Sequence, residues 1–216
     1  MLQEYYRIKD LCRSGLLSYL MQELVLIPKD KEYRMLDIGC GTGVPSMLMA
    51  GTFKGSLTAI DTENTAAEFF INKVKMAGLQ NRISIDNVSF FDFTAGKRSF
   101  DIILVEGFLN IVGFENGLEK IVELIKPGGY IIIHDEFKDH DKKVNYIEQQ
   151  GCKLIHATYL DETIWWNEYY KNLKISIKAV DNFELKNYFA NDIKELEYFK
   201  INKRAFRSIY YLLSKD

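Results

Sequence analysis

The sequence contains few of the residues that cross-link a fold, interrupt its helices or bind metal ions. Among its 216 residues are three cysteines (Cys12, Cys40 and Cys152), three prolines and three histidines. An odd number of widely spaced cysteines without a CxxC pair indicates neither a disulfide framework nor a structural zinc site. Unpaired cysteines are typical of a reducing compartment, so we predict a cytoplasmic protein. No stretch with the composition of a linker divides the chain into domains.

Long apolar runs are also lacking. No stretch approaches the roughly 18 apolar residues of a membrane span, and the first residues carry charges where a signal peptide needs an apolar centre, so we expect no membrane partner. The net charge is -2, but residues 171–216 hold 10 Lys and Arg against 6 Asp and Glu. Because these bases alternate with acids at helical spacing, we interpret them as solvated helix faces and disfavour a nucleic-acid partner.

Strand-like and helical patterns alternate from residue 34 to about residue 160. This alternation is typical of a mostly parallel sheet with helices on both faces. The runs that we interpret as strands are RMLDI, SLTAID, ISIDNVS, FDIILVE, YIIIHDE, LIHATYL and FRSIYYLLSK. We predict one doubly wound, seven-stranded α/β domain over residues 1–216. Its expected parts are a helical cap (1–32), a core (33–160), a helical insert or lid (161–206) and the last strand (207–216).

Two core helices are predicted from apolar residues at helical spacing. The first follows the second strand, and Gly78 stands at its expected end. The second repeats Leu118, Ile121, Val122 and Ile125. The segment KPGG, residues 126–129, then predicts the end of that helix and a turn into the next strand.

The stretch MLDIGCGTGVPS, residues 35–46, places Gly39, Gly41 and Gly43 between a strand and a helix. A strand, a glycine turn and a helix together aim backbone N–H groups at a ligand above the turn. Pro45 fits the first turn of that helix. A side chain at Gly39 or Gly41 would occupy the ligand's space. The dinucleotide fingerprint GxGxxG requires glycine where Val44 stands, which disfavours a nicotinamide cofactor.

Residues 37–43, DIGCGTG, read DxGxGxG, and here the chain resembles the class I S-adenosylmethionine (SAM) dependent methyltransferases. The resemblance implies a Rossmann-like methyltransferase fold, SAM as cofactor and S-adenosylhomocysteine as product. It also implies that the turn packs against the amino acid and ribose of SAM, with Asp37 steering the ammonium group. The turn residues implied are Gly39, Cys40, Gly41 and Gly43.

Further matches follow in order between residues 34 and 136. Asp61 ends the second strand; the resemblance assigns it to the ribose hydroxyls with Thr62 beside the adenine, and a helix N-cap is the alternative. Asp92 and Phe93 are implied to contact the adenine, and a turn aspartate beside core phenylalanines is the alternative. Glu106 is expected near the methionine end of SAM, unless it is a loop carboxylate without a partner.

The chemistry leaves no residue that must be catalytic, because SAM carries an electrophilic methyl carbon and the protein mainly places a nucleophile in line. The segment VEGFLN lacks the Asn/Asp-Pro-Pro-aromatic sequence of methyltransferases that act on base amines or glutamine. The stretch HDEFKDHD, residues 134–141, could form a divalent metal site as in catechol-type methyltransferases. Its residues alternate faces, however, so a solvated loop is favoured and no metal is expected. His134 is a candidate base.

Aromatic residues recur at helical spacing in the insert and predict one aromatic helix face. Its members are Trp165, Trp166, Tyr169, Tyr170 and Leu173. One interpretation is core packing, and the other is a lid over the methyl acceptor, with Tyr5 and Tyr6 closing the other side. We predict a methyltransferase for an unidentified small molecule, with a homodimer left open. A non-catalytic SAM-binding protein and an RNA or protein methyltransferase are the alternatives.

Overall fold

A seven-stranded sheet forms the centre of the computed structural model, which describes residues 1–216. Its strands are β1 (Glu32–Ile38), β2 (Lys54–Asp61), β3 (Ile83–Asn87), β4 (Phe100–Glu106), β5 (Ile125–Glu136), β6 (Cys152–Leu160) and β7 (Ser208–Lys215). They lie in the order β3-β2-β1-β4-β5-β7-β6. Strands β1 to β5 pair in parallel, and β7 runs antiparallel between β5 and β6. The predicted doubly wound α/β sheet is confirmed.

Helices cover both faces of this sheet. Their bounds are α1 (Leu2–Ser14), α2 (Leu17–Leu24), α3 (Val44–Thr52), α4 (Asn64–Met76), α5 (Leu109–Val112), α6 (Phe114–Leu124), α7 (His140–Gln149), α8 (Glu162–Trp165), α9 (Lys171–Ala179), α10 (Phe183–Tyr188) and α11 (Ala190–Ile201). A π-helical turn, Trp166–Tyr170, joins α8 to α9, and a 3-10 turn, Lys203–Phe206, precedes β7. No helix is both long and apolar enough to cross a membrane.

Alternation along the strands produces two cores, one on each face of the sheet. On β5, Ile132 belongs to the core shared with the N-terminal helices and the insert, while Ile131 and Ile133 belong to the core shared with α6 and α7. All three side chains are fully buried, and each burial stabilises the fold by about 1.5 to 3 kcal/mol. The same alternation places His134 and Asp135 on opposite faces at the end of β5.

The KPGG segment does not form a turn outside the strand. Helix α6 ends at Leu124, and β5 begins at Ile125, which pairs with Phe100. The register then shifts, so that Ile102 pairs with Tyr130 and residues 126–129 form an irregularity within the strand. Gly128 adopts a φ of +72° there, and a bulge tolerates a proline that lacks an N–H donor. The predicted end of the helix is therefore found just before this segment, at Leu124, whereas the turn lies within β5: residues 126–129 leave the ladder, and pairing with β4 resumes at Tyr130.

The N-terminal helices and the insert pack against each other. Helix α1 contacts α9, α10 and the π-helical turn, and α2 contacts β6 and β7. Gly15, between α1 and α2, has no room for a side chain, because a Cβ atom would collide with the carbonyl oxygen of Glu168. The cap and the insert therefore meet on one side of the sheet, beside the carboxyl ends of β4 and β5.

Candidate functional site

All three glycines of the turn between β1 and α3 have positive φ. The values are +72° at Gly39, +50° at Gly41 and +77° at Gly43, a conformation that strains other residues. A Cβ atom on Gly43 would collide with the ring of Phe70, whereas one on Gly41 would meet no atom within 4 Å. Gly43 therefore allows α3 to pack on α4, and Gly41 borders open space that a ligand can fill.

Three cavities lie at the carboxyl ends of the central strands, where the strand order reverses between β1 and β4. This is where open α/β sheets bind ligands. The turn cavity, of about 290 Å³, is lined by residues that include Lys9, Asp10, Arg13, Asp37, Cys40 and Thr42. The β2 cavity, of about 310 Å³, is lined by residues that include Ile60, Asp61, Thr62, Val88, Phe90 and Phe108.

The insert cavity, of about 440 Å³, is the largest of the three. Its lining includes Asn110, His134, Glu136, Trp165, Tyr170, Glu195, Tyr198, Phe206, Arg207 and Ser208. Arg13, Gly107 and Tyr169 line both the insert cavity and the turn cavity. Gly39, Glu106 and Gly107 line both the turn cavity and the β2 cavity. The three spaces are therefore adjacent, and Gly107, directly after β4, borders all of them.

Asp61 joins the turn to the start of α4. Its Oδ2 accepts the Gly41 N–H at 2.7 Å, and its Oδ1 accepts the Glu63 N–H at 2.8 Å. The carboxylate lies in the lining of the β2 cavity together with Thr62. Each oxygen retains a lone pair, so the same carboxylate can also accept hydroxyl groups of a ligand. Its predicted contact with the ribose stays a prediction.

Asp37, near the end of β1, is a buried acid in the lining of the turn cavity. Burial raises the pKa of its carboxyl to about 7, and the nearby Glu106 and Asp61 carboxylates act in the same direction. The Ser46 hydroxyl donates to Asp37 Oδ2, and this hydrogen bond opposes the shift by lowering the pKa of Asp37. A cationic ligand in the turn cavity would favour the ionised form. This carboxyl therefore fits an ammonium group.

Glu106, at the end of β4, connects the N-terminal cap to the sheet. It accepts hydrogen bonds from the Arg13 guanidinium and, at 2.7 Å, from the Tyr210 hydroxyl. Burial alone would raise the pKa of Glu106, but Arg13 and these hydrogen bonds hold it below its usual range. The alternative of a loop carboxylate without a partner is therefore wrong. Glu106 is a buried, ionised acid between the turn cavity and the β2 cavity.

Asp92 and Phe93 do not line the β2 cavity. Asp92 is exposed, and Phe93 packs against Phe100 at a ring-centroid distance of 6.4 Å. Val88 and the buried Phe90 take the corresponding places in the cavity wall. The geometry therefore favours the turn-aspartate alternative for Asp92, and Val88 and Phe90 are better candidates for a contact with the adenine.

The candidates for a lid divide into two groups. His134, Trp165 and Tyr169 line the insert cavity. The Tyr5 hydroxyl instead donates to Asp192, and the Tyr6 hydroxyl donates to Glu63, so both tyrosines fasten α1 to its neighbours outside that cavity. Trp166 stacks on Phe199, in the core. The structure thus does not bring Tyr5, Tyr6 and Trp166 to the insert cavity.

The HDEFKDHD segment does not gather into a cluster of ligands. His134 bonds to Ser208, while Asp135 faces the other side of the sheet, where Lys143 Nζ lies 2.6 Å from its Oδ2. This ion pair lacks hydrogen-bond alignment, and neither oxygen of Asp135 has a hydrogen-bond donor. Glu136 is exposed. No group of three or more His, Cys, Asp or Glu side chains is arranged to hold a metal ion.

Sequence reasoning missed three site residues on α1. Lys9, Asp10 and Arg13 line the turn cavity, and Asp10 accepts from the Thr42 hydroxyl and, at 2.6 Å, from Lys73 Nζ. Their spacing of i, i+1 and i+4 places them together on one face of the helix. That spacing was the available signal, but it is also typical of any solvated helix face.

The family of the chain follows from comparison with known proteins. A family model described as a methyltransferase domain matches residues 29–188. The chain belongs to this family, that of the class I SAM-dependent methyltransferases, and SAM is confirmed as the cofactor predicted from the glycine motif. The open space at Gly41 and the acids at Asp37 and Glu106 fit a cationic nucleoside of this kind.

Relatives and solved structures extend this result. The chain is 24% identical over 162 residues to the O-methyltransferase cnsE of Penicillium expansum, covering 64% of this chain but 58% of that protein's length. It is 25% identical over 163 residues to a ribosomal RNA small subunit methyltransferase G of Ureaplasma parvum, covering 73% and 72% of the two chains. A SAM-dependent methyltransferase from Geobacter sulfurreducens, crystallised with S-adenosyl-L-homocysteine, has the same fold, with a TM-score of 0.72 at 15% identity over 97% of this chain and 98% of that one.

Proposed function

We propose that this protein transfers the methyl group of SAM to a small molecule held in the insert cavity. The observation that carries the proposal is the junction at Gly107, where the cavity walled by the insert adjoins the two cavities at the glycine turn. A methyl acceptor in the insert cavity can reach the cofactor without crossing the protein. Placement of this kind can supply about 7 to 11 kcal/mol of the barrier.

The residues of the turn and β2 cavities hold the cofactor under this proposal. Asp37 and Glu106 place negative charge beside the ammonium and sulfonium groups, and Asp61 and Thr62 border the sugar. When bound, SAM supplies an electrophilic methyl carbon and a neutral leaving group. The chain then orients both molecules, and the aromatic walls formed by Trp165, Tyr169 and Tyr170 exclude water from the methyl acceptor.

A small-molecule acceptor is favoured over nucleic acid. The insert cavity has the size of a ligand pocket. Glu136 and Glu195 are exposed in its lining, and such carboxylates oppose the approach of phosphates. The RNA methyltransferase alternative has support from the Ureaplasma relative, and it predicts binding to bulk RNA that weakens steeply with salt. We expect no such binding. A cytoplasmic location and a homodimer stay predictions.

The test combines calorimetry with transfer of a labelled methyl group. Asp61→Ala is expected to weaken SAM binding at least about tenfold, because it removes charge-assisted hydrogen bonds. Asp86→Ala, at an exposed position on the adjacent strand β3, is the matched control and should bind as the unmodified protein does. Label from SAM should enter a compound of low molecular weight in pooled metabolite fractions. Tight SAM binding without label in any pool would instead support the non-catalytic alternative.

A further inference from the structure

Ser208, the first residue of β7, bridges two ring nitrogens at the wall of the insert cavity. Its Oγ lies 2.8 Å from His134 Nε2 on β5 and 2.9 Å from Trp165 Nε1 at the end of α8. The His134 ring stacks on Tyr210 at a centroid distance of 4.0 Å and a plane angle of 9°. The ring of Trp165 is also nearly parallel to it. The imidazole is thus held in one orientation.

The hydrogen atoms of this chain of contacts can be assigned from the chemistry of the donors. The indole N–H of Trp165 can only donate, so Ser208 Oγ accepts from it. The hydroxyl hydrogen of Ser208 then has His134 Nε2 as its partner within the chain. A buried hydroxyl is rarely left without a partner. Nε2 therefore accepts, and a neutral His134 carries its hydrogen on Nδ1.

The surroundings keep this histidine neutral. Burial lowers the pKa of His134 to about 4; the Glu106 carboxylate opposes this shift, and the Arg13 guanidinium reinforces it. Glu106 is itself paired with Arg13 and bonded to Tyr210, the ring on which His134 stacks. A histidine that is neutral and hydrogen-bonded through Nε2 has one remaining polar group, the Nδ1–H, and this atom makes no hydrogen bond within the chain.

We propose that His134 is a hydrogen-bond donor to the methyl acceptor and not its general base, an inference that rests on the proposed function. The insert cavity would accordingly take a methyl acceptor whose oxygen accepts hydrogen bonds, such as a phenolate. Arg13 supplies further donors in the same lining, because only its Nη2 is engaged with Glu106. Glu136 and Glu195 are exposed in the same lining and act on a polyanion that approaches from solvent. A single phenolate inside the cavity would instead contact the buried His134 and the Arg13 side chain, which is 29% exposed, and its flat ring suits the aromatic walls.

The tautomer is measured directly by long-range 1H–15N correlation NMR on the 15N-histidine protein, without cofactor. Only three histidines are present, so a substitution at 134 assigns its signals. We expect an Nδ1–H tautomer that stays neutral between about pH 6 and pH 8. Ser208→Ala should shift the tautomer, and the control Ser208→Thr, which keeps the hydroxyl, should not. An Nε2–H tautomer or a cationic ring would overturn the assignment.

A pair of substitutions then tests the donor role. The amide nitrogen of an asparagine side chain reaches about as far as Nδ1, and that of a glutamine about as far as Nε2. His134→Asn therefore keeps a donor toward the cavity, whereas His134→Gln loses that donor and keeps the contact with Ser208 through its Oε1, which accepts from the hydroxyl. In the presence of S-adenosylhomocysteine, para-nitrophenolate should bind to His134→Asn within about threefold of the unmodified protein, and about tenfold more weakly to His134→Gln.

Benzylammonium is the matched probe of opposite charge. The phenolate should perturb the Nδ1–H signal of His134, and benzylammonium should not. The reverse result, or no perturbation by the phenolate, would contradict the assigned class of methyl acceptor. Failure of the proposed function can be distinguished from failure of this inference. The former would appear as absence of SAM binding in calorimetry, and the tautomer of His134 can be measured in either case.

Discussion

The turn cavity and the insert cavity adjoin at Gly107, but the chain builds them from different groups. The turn cavity depends on main chain, with three left-handed glycines and a backbone N–H held by Asp61. The insert cavity depends on side chains, chiefly aromatic rings carried by helices between β6 and β7. A cavity wall made of left-handed glycines tolerates few substitutions, because other residues are strained in that conformation. Aromatic side chains on the insert can be replaced without disturbing the sheet. Under the proposed function, the cofactor and the methyl acceptor are thus held by regions that the chain builds separately.

Helix α1 connects the two regions. Arg13 lines both cavities, and Lys9 in the turn cavity donates to the Tyr169 hydroxyl at 2.6 Å. Lys9 also pairs with the buried Asp192 of α11, which fastens the insert to the cap. Coupling between the cofactor and the methyl acceptor should therefore pass through these α1 residues.

The largest effect is expected at Gly43. Gly43→Ala forces a methyl group into the Phe70 ring at a φ of +77°, and it should lower the free energy of unfolding by about 3 kcal/mol. The thermal midpoint should fall by roughly 6 to 12 °C. Gly41→Ala is the comparison, because its methyl group meets open space. It should cost only about 1 kcal/mol of stability and act mainly on SAM affinity in calorimetry. Equal loss of stability in both variants would argue against separate roles for the two glycines.

Breaking the link between the regions should have the next largest effect. Glu106→Gln leaves the Arg13 charge without its partner, and loss of a buried partner costs about 3 to 5 kcal/mol. Since the Arg13 side chain is 29% exposed, we expect about 2 kcal/mol in denaturant unfolding, together with weaker SAM binding. The control is Glu4→Gln, which removes one partner of the exposed Glu4–Arg7 pair. This variant should leave the midpoint of denaturant unfolding unchanged. An unaltered midpoint in Glu106→Gln would show that water already screens the pair.

The two regions also differ in how far the sequence predicts them. The strands, the glycine turn and Asp61 follow from local patterns, because main-chain conformation and strand ends are encoded by neighbouring residues. The segment KPGG does leave the ladder, as its local signal indicates, but Ile125 already pairs with Phe100, so β5 begins earlier than the local pattern predicts. Arg13 could not be assigned, since its role depends on how α1 docks. The same holds for Ser208, whose bridge between two distant rings exists only in the folded chain.

Asp37 should make the cofactor region sensitive to pH. Because burial raises the pKa of Asp37 to about 7 from an ordinary value of 3.8, the native state holds a proton that the unfolded state has lost. Asp37 should therefore make the stability without ligand fall as pH rises from about 4 to about 7. His134, whose pKa is lowered by burial to about 4, has the opposite effect up to about pH 6.5, so the contribution of Asp37 is read as the difference between the unmodified protein and Asp37→Asn. Affinity for the cationic cofactor should rise over the upper part of that range, by up to about tenfold per pH unit below the pKa. Asp37→Asn should remove this contribution to stability and also the rise in affinity. Calorimetry and denaturant unfolding at several pH values would measure them, and a pH-independent affinity in the unmodified protein would contradict the assignment.

The smallest effect is expected in the wall of the insert cavity. Glu195 on α11 is exposed and accepts a hydrogen bond from the buried Tyr170. Glu195→Gln keeps an acceptor for that bond and removes only the charge, so we expect KM for the methyl acceptor to change by no more than about threefold. The dissociation constant of SAM should stay constant in calorimetry, because Glu195 lines neither the turn cavity nor the β2 cavity. If SAM affinity changed as much as KM, the insert and the glycine turn would respond as one unit, and the division between them would fail.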